Sequence, residues 1–308
     1  MEGRFSNEYN LWKSSPVWGG LAKRLEFSYT GTYNERLEDG VVELLTSGIL
    51  TFSKETAIDA FLVGGGSAGN PGWYKSGSSY GNGGGGAGGF TKTLLNIIPR
   101  ANFEYEIIIG SGGATATGNY SDSSRTAPGN GGNTVAFGAT AEGGKVGGAS
   151  YFTPGGTITQ SYYQYFIMGG NGGSGGGQAS GRSITEPWNK SGDGGSDGSD
   201  GKASPNNPPV STYPLGTGQG TTTREFGEAT GKLYAGGGGA GVDYSTFYGG
   251  IAGVGGAGGG GNGGQSQTSN SVPGTPNTGG GGGGGFQSSD RGAAGGSGIV
   301  CIRLHKES

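Results

Sequence analysis

Glycine recurs in this chain with a period of three, and that period limits what the chain can fold into. Residues 168–177 read M-G-G-N-G-G-S-G-G-G, so two of the three interleaved columns have no side chain. Residues 249–264 repeat the pattern, with Ile251, Val254 and Ala257 in one column. The polyproline II helix has this period, with three residues per turn and no hydrogen bonds within the helix.

A helix of this kind needs neighbours, because its backbone N–H and C=O groups must be bonded to other segments. Columns without Cβ atoms let neighbouring backbones approach closely. We therefore predict a bundle of polyglycine helices joined by backbone hydrogen bonds, in which the column of Ile251 and Val254 faces a side-chain core. The alternative is a flexible glycine-serine linker, but linkers rarely keep their glycines in columns.

Outside the glycine runs, several segments have the alternating or continuous apolar pattern of β-strands. Phe103, Tyr105 and Ile107 alternate with glutamates, and residues 57–63 are almost entirely apolar, which is typical of a strand covered on both faces. No segment has a convincing helical period. We expect residues 90–98 and 103–109 to pair with each other. The expected strands cover residues 25–29, 41–46, 49–53, 57–63, 90–98, 103–109, 134–137 and 299–304.

These elements predict a mostly β fold. We expect a jelly-roll-like β-sandwich that is closed by the C-terminal strand and carries a large inserted bundle of polyglycine II helices, with little α-helix. Residues 1–23 form an N-terminal attachment arm in this interpretation. Residues 24–145 together with 296–308 form the sandwich with glycine-rich loops, and residues 146–295 form the bundle with aromatic loops.

Composition argues against several partners. The net charge is −3 and 13% of residues are charged, so no strong field directs the chain to nucleic acid. No apolar run approaches the 18 residues or so of a membrane span. The start of the sequence lacks the apolar region of a signal peptide. We expect synthesis in a cytoplasm, release without a signal peptide, and no membrane insertion.

Catalysis finds little support in the sequence. His305 is the one histidine, and we interpret it as a solvated residue of the C-terminal tail. Cys301 is the one cysteine and fits a small residue within a strand. One histidine and one cysteine do not make the usual zinc sites. We therefore expect no enzyme activity, no cofactor and no metal.

Aromatic residues between the glycine runs are the best functional signal, because Tyr and Trp offer a large apolar face with a polar tip. The alternative is that these rings cap the ends of the glycine helices. The receptor-binding candidates are Trp73, Tyr74, Tyr80, Tyr162, Tyr163, Tyr165, Trp188, Tyr213, Tyr244, Phe247 and Tyr248. The arm carries the candidates for attachment, Phe5, Tyr9, Trp12 and Trp18.

Four stretches resemble a known family. They are residues 58–66 (I-D-A-F-L-V-G-G-G), 220–228 (G-T-T-T-R-E-F-G-E), 233–241 (L-Y-A-G-G-G-G-A-G) and 295–304 (G-G-S-G-I-V-C-I-R-L). They are similar to glycine-rich tail-fibre or tail-tip proteins of phages and prophages of Gram-positive bacteria. The arrangement also resembles the distal adhesins of T-even-like phages, in which loops between polyglycine helices bind the host receptor.

The resemblance implies a virion protein of the tail tip or fibre that recognises the bacterial surface. Its expected partners are a polysaccharide or protein receptor, other tail or baseplate proteins, and further copies of itself. Three alternatives remain open at this point. They are a purely structural spacer, a depolymerase of the cell wall that uses paired carboxylates, and an ice-binding protein.

Overall fold

The computed structural model describes residues 24–75, 79–117, 126–147, 169–179, 223–242, 251–265, 269–286 and 291–306, and along 73–75 and 79–81 it describes the backbone alone. The fold is mostly β, which confirms the predicted class. Within these residues the strands are β1 (Phe27–Tyr29), β2 (Tyr33–Arg36), β3 (Val41–Leu44), β4 (Gly48–Phe52), β5 (Ile58–Val63), β6 (Trp73–Lys75), β7 (Ser79–Gly81), β8 (Thr91–Ile97), β9 (Glu104–Ile107), β10 (Thr134–Ala136), β11 (Ala139–Ala141) and β12 (Ile299–Leu304).

The C-terminal strand closes the larger sheet, as the sequence predicts. This antiparallel sheet has the order β2-β3-β12-β5-β8. Val300 of β12 lies opposite Leu44 on one side and opposite Leu62 on the other. The last strand of the chain therefore joins strands that lie more than 230 residues earlier.

The smaller sheet corrects one sequence prediction. Its order is β1-β4-β9, so β8 and β9 belong to different sheets and do not pair as expected. β3 and β4, which follow each other closely in the sequence, are also divided between the two sheets. The reason is that the apolar sides of β8 and β9 face each other across one core, to which Leu94 and Tyr105 both contribute. The loop between these strands crosses from one sheet to the other, with Asn102 in the left-handed region at φ 55°.

Two apolar layers cover the larger sheet. Leu62 and Val300 pack against Leu50 and Phe52 of the smaller sheet. On the opposite face, Phe61 and Cys301 pack against Phe226 and Tyr234, near a 3₁₀ turn at Glu225–Gly227. This second layer explains why all six residues of β5 are buried, as the continuous apolar run predicts.

The glycine-rich segments continue the strands as extended rods. Along residues 64–70, the backbone N–H groups donate in rotation to three neighbouring segments, 84–90, 129–132 and 293–296. Each neighbour receives a bond from every third residue. The bonds run from Gly64 to Phe90, Gly65 to Gly132, Gly66 to Gly296, Ser67 to Ala87, Ala68 to Gly129, Gly69 to Ala293 and Asn70 to Gly84, at 2.9 to 3.0 Å. This rotation is the three-residue turn of a polyproline II helix.

Many of these glycines cannot be replaced by a residue that carries a Cβ atom. A Cβ atom on Gly66 would lie 2.0 Å from the Gly280 oxygen, and one on Gly85 would lie 2.0 Å from the Gly238 oxygen. The hydrogen in the Cβ direction instead points at a carbonyl group of the next rod, as in a weak Cα–H···O contact. The rods therefore pack backbone against backbone, and they are drawn from both sides of residue 146.

Both glycine runs that reveal the period fold back on themselves. Residues 169–177 bend at Gly173 and Ser174, so the Gly176 N–H bonds the Gly170 oxygen. Residues 251–265 reverse at residues 257–259, where Gly258 and Gly259 have φ values of 94° and 99°. Each predicted helix is thus a pair of shorter rods.

The orientation of the apolar column also differs from the prediction. Ile251 and Val254 are 51% and 57% exposed, whereas Gly253 and Gly256 are buried. The reason is steric, since the inner side of this rod meets another backbone, and a Cβ atom on Gly239 would lie 2.0 Å from the Gly253 oxygen. The column of Ile251 and Val254 therefore faces outward, and the expectation that it faces a core is wrong. Elsewhere the bundle does enclose side chains, as in the small cluster of Ala179, Ala240 and Val242.

Candidate functional site

Most of the described residues that border the internal segments between rods lie at one end of the bundle, and we call this end the tip. β5 ends at Val63, and Asn70 lies seven residues further along the rod, which is about 20 Å at 3.1 Å per residue. At that level Asn82 bridges to Phe286 and Val242 bridges to Gln265. The tip is therefore the end of the rods that lies away from the two sheets.

Hydrogen-bond register places the rod ends at the same level. The Asn70 side-chain amide donates to the Gly147 oxygen, and the Gly85 N–H donates to the Gly177 oxygen. The Gly241 N–H donates to the Gly83 oxygen, and the Gly83 N–H donates to the Gly285 oxygen. Between the described ranges lie internal gaps, and most of the residues that border these gaps lie at the tip. They are residues 75 and 79, 117 and 126, 147 and 169, 242 and 251, 265 and 269, and 286 and 291, together with residue 179. Thr223, which follows residues 180–222, lies instead near the sheets and accepts a bond from the Tyr234 N–H.

This geometry locates part of the predicted receptor-binding set. Trp73, Tyr74 and Tyr80 lie in the β6–β7 hairpin at the tip, where Tyr74 is paired with Tyr80 along the backbone. The other candidates lie outside the described residues: Tyr162, Tyr163, Tyr165, Trp188, Tyr213, Tyr244, Phe247 and Tyr248, together with Phe5, Tyr9, Trp12 and Trp18 of the arm.

Asn82 gives the tip a polar group that needs a partner. Its side chain is fully buried, and within the described part of the chain neither atom of its amide has a hydrogen bond. A buried polar group without a partner costs about 1–3 kcal/mol. We therefore expect water, a ligand or one of the segments that begin at the tip to supply the partner.

A cleft of about 410 Å³ opens at the edge of the sandwich, between the end of β8 and the start of β9. The Tyr105 ring lies 4.9 Å from the Phe103 ring and 5.5 Å from the Phe137 ring. Phe137 has a φ of 52° in the two-residue turn between β10 and β11, a position that normally favours Asn or Gly. Its packing on Tyr105 compensates for this strain. Glu104 and Glu106, on the other face of β9, are exposed.

A partly buried ionic network joins the sheet to residues 223–234. Arg36 lies 2.5 Å from Glu225 and 3.2 Å from Glu43. Lys232 lies 3.0 Å from Glu43. Burial alone would raise the pKa of Glu43, but the hydrogen bonds from Lys232 and Asn34 outweigh burial and lower it. Two cations thus neutralise two buried carboxylates.

The same network contains groups that could bind a metal ion. Glu43, Glu225 and Cys301 place their ligand atoms within 4.8 Å of one another. Burial raises the pKa of the Cys301 thiol well above its ordinary value, so the thiol stays protonated. The Tyr234 hydroxyl lies 3.3 Å from Glu43 and 3.6 Å from the Cys301 sulfur. Because the carboxylates already have cationic partners, this arrangement fits a structural network better than a cation site.

The histidine corrects another prediction. His305 is not a solvated tail residue. Its ring Nδ1 lies 2.6 Å from the Asp59 carboxylate, and its backbone N–H donates to the Ala57 backbone oxygen. Burial by itself would raise the pKa of Asp59, but the bonds from His305, the Asn96 N–H and Arg303 lower it. Cys301 is a buried residue of β12, as predicted. The sequence gives no signal for the pairing of His305 with Asp59, since 245 residues separate them.

The chain belongs to the family described as the glycine-rich domain, which it matches over residues 46–305. The match covers the rods and the strands from β4 to β12, and it begins after β1, β2 and β3. A search of curated proteins finds no match. Among the described residues, none lies in a helix that is long and apolar enough to cross a membrane.

Proposed function

We propose that this protein is a tail-fibre or tail-tip protein of a phage or prophage that recognises the bacterial host surface. In this proposal the aromatic segments at the tip bind a polysaccharide or protein receptor. Residues 1–23 attach the protein to other tail or baseplate proteins. The mechanism is binding without covalent chemistry or a cofactor, and the site of action is the virion.

The position of the described segment borders at the tip is the observation that carries this proposal. Among the described borders of the internal segments between rods, all but Thr223 lie at the end away from the sheets, whereas the short turns at residues 257–259 and 276–279 lie at the sheet end. The rods are linked by backbone hydrogen bonds in several directions. A stiff support lowers the entropy that loops lose on binding. Several copies on one particle would add avidity.

Replacement of two aromatic segments between the rods tests the proposal. We expect that Gly/Ser segments in place of residues 151–166 and 204–215 will abolish adsorption of the virion, or of the purified protein, to host cells. The control replaces Leu37 and Glu38 by serine, because this exposed turn lies at the opposite end of the molecule, beyond the sheet. It should leave adsorption unchanged.

The same experiment separates the rivals. If both segment replacements leave adsorption unchanged, these segments have no role in recognition and the structural spacer becomes the better account. A depolymerase would release sugar from purified host cell wall, and we expect no release.

A further inference from the structure

The side of the bundle carries an apolar face. Ile251, Val254 and Val272 are 51%, 57% and 45% exposed. Ala257, in the same column as Ile251 and Val254, is exposed as well, and so is Pro273. Monomeric proteins rarely leave extended apolar patches in water, and such patches often mark contact surfaces.

These residues lie on three neighbouring rods. The rod of residues 251–256 is joined to the rod of residues 260–264 by the bond from the Gly263 N–H to the Gly253 oxygen. The rod that begins at Val272 is joined to the same middle rod, because the Val272 N–H bonds the Asn262 oxygen. The exposed Asn262 also accepts a bond from the Gly255 N–H through its side chain. We call Ile251, Val254, Ala257, Asn262 and Val272 the flank face.

The flank face has no charge. From residue 244 to residue 289 the sequence contains no Asp, Glu, Lys or Arg, although 13% of the whole chain is charged. The centres of protein interfaces are depleted of charged residues in the same way. A free protein surface normally carries charges that keep molecules apart.

We propose that the flank face binds the flank face of a second copy of this chain. An uncharged surface can meet its own copy without opposing like charges, whereas a charged partner would find no complementary group there. The face runs along the rods, so two copies that meet side by side leave both tips free. This interface goes beyond the proposed host recognition and does not depend on it.

Charge placed on the face tests the interface. We expect the wild-type chain to be a dimer or larger assembly in sedimentation or light-scattering measurements at micromolar concentration. V254E and I251K should each raise the dissociation constant by about tenfold or more, which corresponds to about 1.4 kcal/mol. Because both side chains are exposed in the isolated chain, the unfolding midpoint of the dissociated form should match that of the wild type at the same low concentration.

The matched control is L37E, since Leu37 is 74% exposed and lies at the far end of the sheet. It should leave assembly unchanged. V254C adds a covalent measurement, because the natural Cys301 is buried, and mild oxidation should cross-link V254C but not L37C. A monomeric wild-type chain, or an assembly that V254E and I251K leave intact, overturns the interface. Host adsorption by such a monomer would leave the proposed function standing.

Discussion

At the scale of single residues, the protein depends on positions where no side chain fits. Gly66 and Gly85 each direct a hydrogen at a carbonyl group of the next rod, and a Cβ atom there would lie about 2 Å from an oxygen. The backbone cannot move away without breaking hydrogen bonds to other rods. Glycine is therefore required here by packing, and its conformational freedom is not the reason.

Alanine substitution tests this requirement. G66A should lower the free energy of unfolding by about 3 kcal/mol or more, because the methyl group would overlap the Gly280 carbonyl. G40A makes the same chemical change where nothing lies within 4 Å, although its φ is 68°. We expect G40A to cost about 1–2 kcal/mol from backbone strain alone. Chemical denaturation measures both, and equal losses would contradict the packing argument.

The sequence predicts the geometry of the rods well, but it predicts less well which side of a rod each residue faces. The period of three follows from the glycine columns, and the rotation of hydrogen-bond partners along residues 64–70 matches it. The orientation of Ile251 and Val254 could not be read correctly, because apolar residues normally face inward. On the rod of residues 251–256 the inner positions next to other backbones are the glycines Gly253 and Gly256, so the apolar column faces outward.

At the scale of elements, the ends of the central strands are held by ion pairs. Asp59 of β5 is 1% exposed and accepts a bond from Arg303 of β12 at 3.2 Å. Arg303 also lies 2.7 Å from Glu228, whose pKa it lowers by that bond. These contacts join the C-terminal strand to β5 and to the segment after the 3₁₀ turn.

Acid should weaken this junction. The pKa of Asp59 is lower in the folded chain than the value of about 3.9 in unfolded chains. The unfolded state therefore binds the proton first as the pH falls. The stabilisation is present above about pH 4 and is lost below it, as the pH passes through the folded pKa.

The variant D59N tests whether Asp59 causes this loss of stability in acid. At pH 7 this variant should lose about 2–3 kcal/mol of unfolding free energy, because Arg303 keeps Glu228 but loses its buried partner. Its stability should also fall less steeply than that of the wild type between pH 5 and pH 2. Unfolding curves at a series of pH values measure both effects, and an unchanged acid slope would contradict the role of Asp59.

The strands themselves were largely predictable, and their partners were not. Alternation marks β9 and β12, and continuous apolar character marks β5. The predicted pair of residues 90–98 and 103–109 failed because a short loop suggests a hairpin, while here it crosses between two sheets. β2, with the sequence Y-N-E-R, is a partly exposed edge strand whose polar residues give no apolar signal.

At the scale of the whole molecule, the sheets and the rods form a continuous arrangement. β5 leads directly into the rod of residues 64–70, and the rod of residues 291–298 leads into β12. Each of these segments therefore makes strand hydrogen bonds along one part and rod hydrogen bonds along the next. The tip stands at the far end of this scaffold, and the flank face runs along its side.

Hydrogen exchange of the backbone amides tests the central claim, which is that the glycine runs form ordered rods. Gly253, Gly256, Gly261 and Gly264 donate their N–H groups to neighbouring rods at 2.7 to 2.9 Å. We predict that these amides exchange at least about a thousandfold more slowly than those of an unstructured glycine peptide, as expected for bonds that open with a free energy of about 4 kcal/mol or more. Exchange as fast as in that peptide would contradict the account.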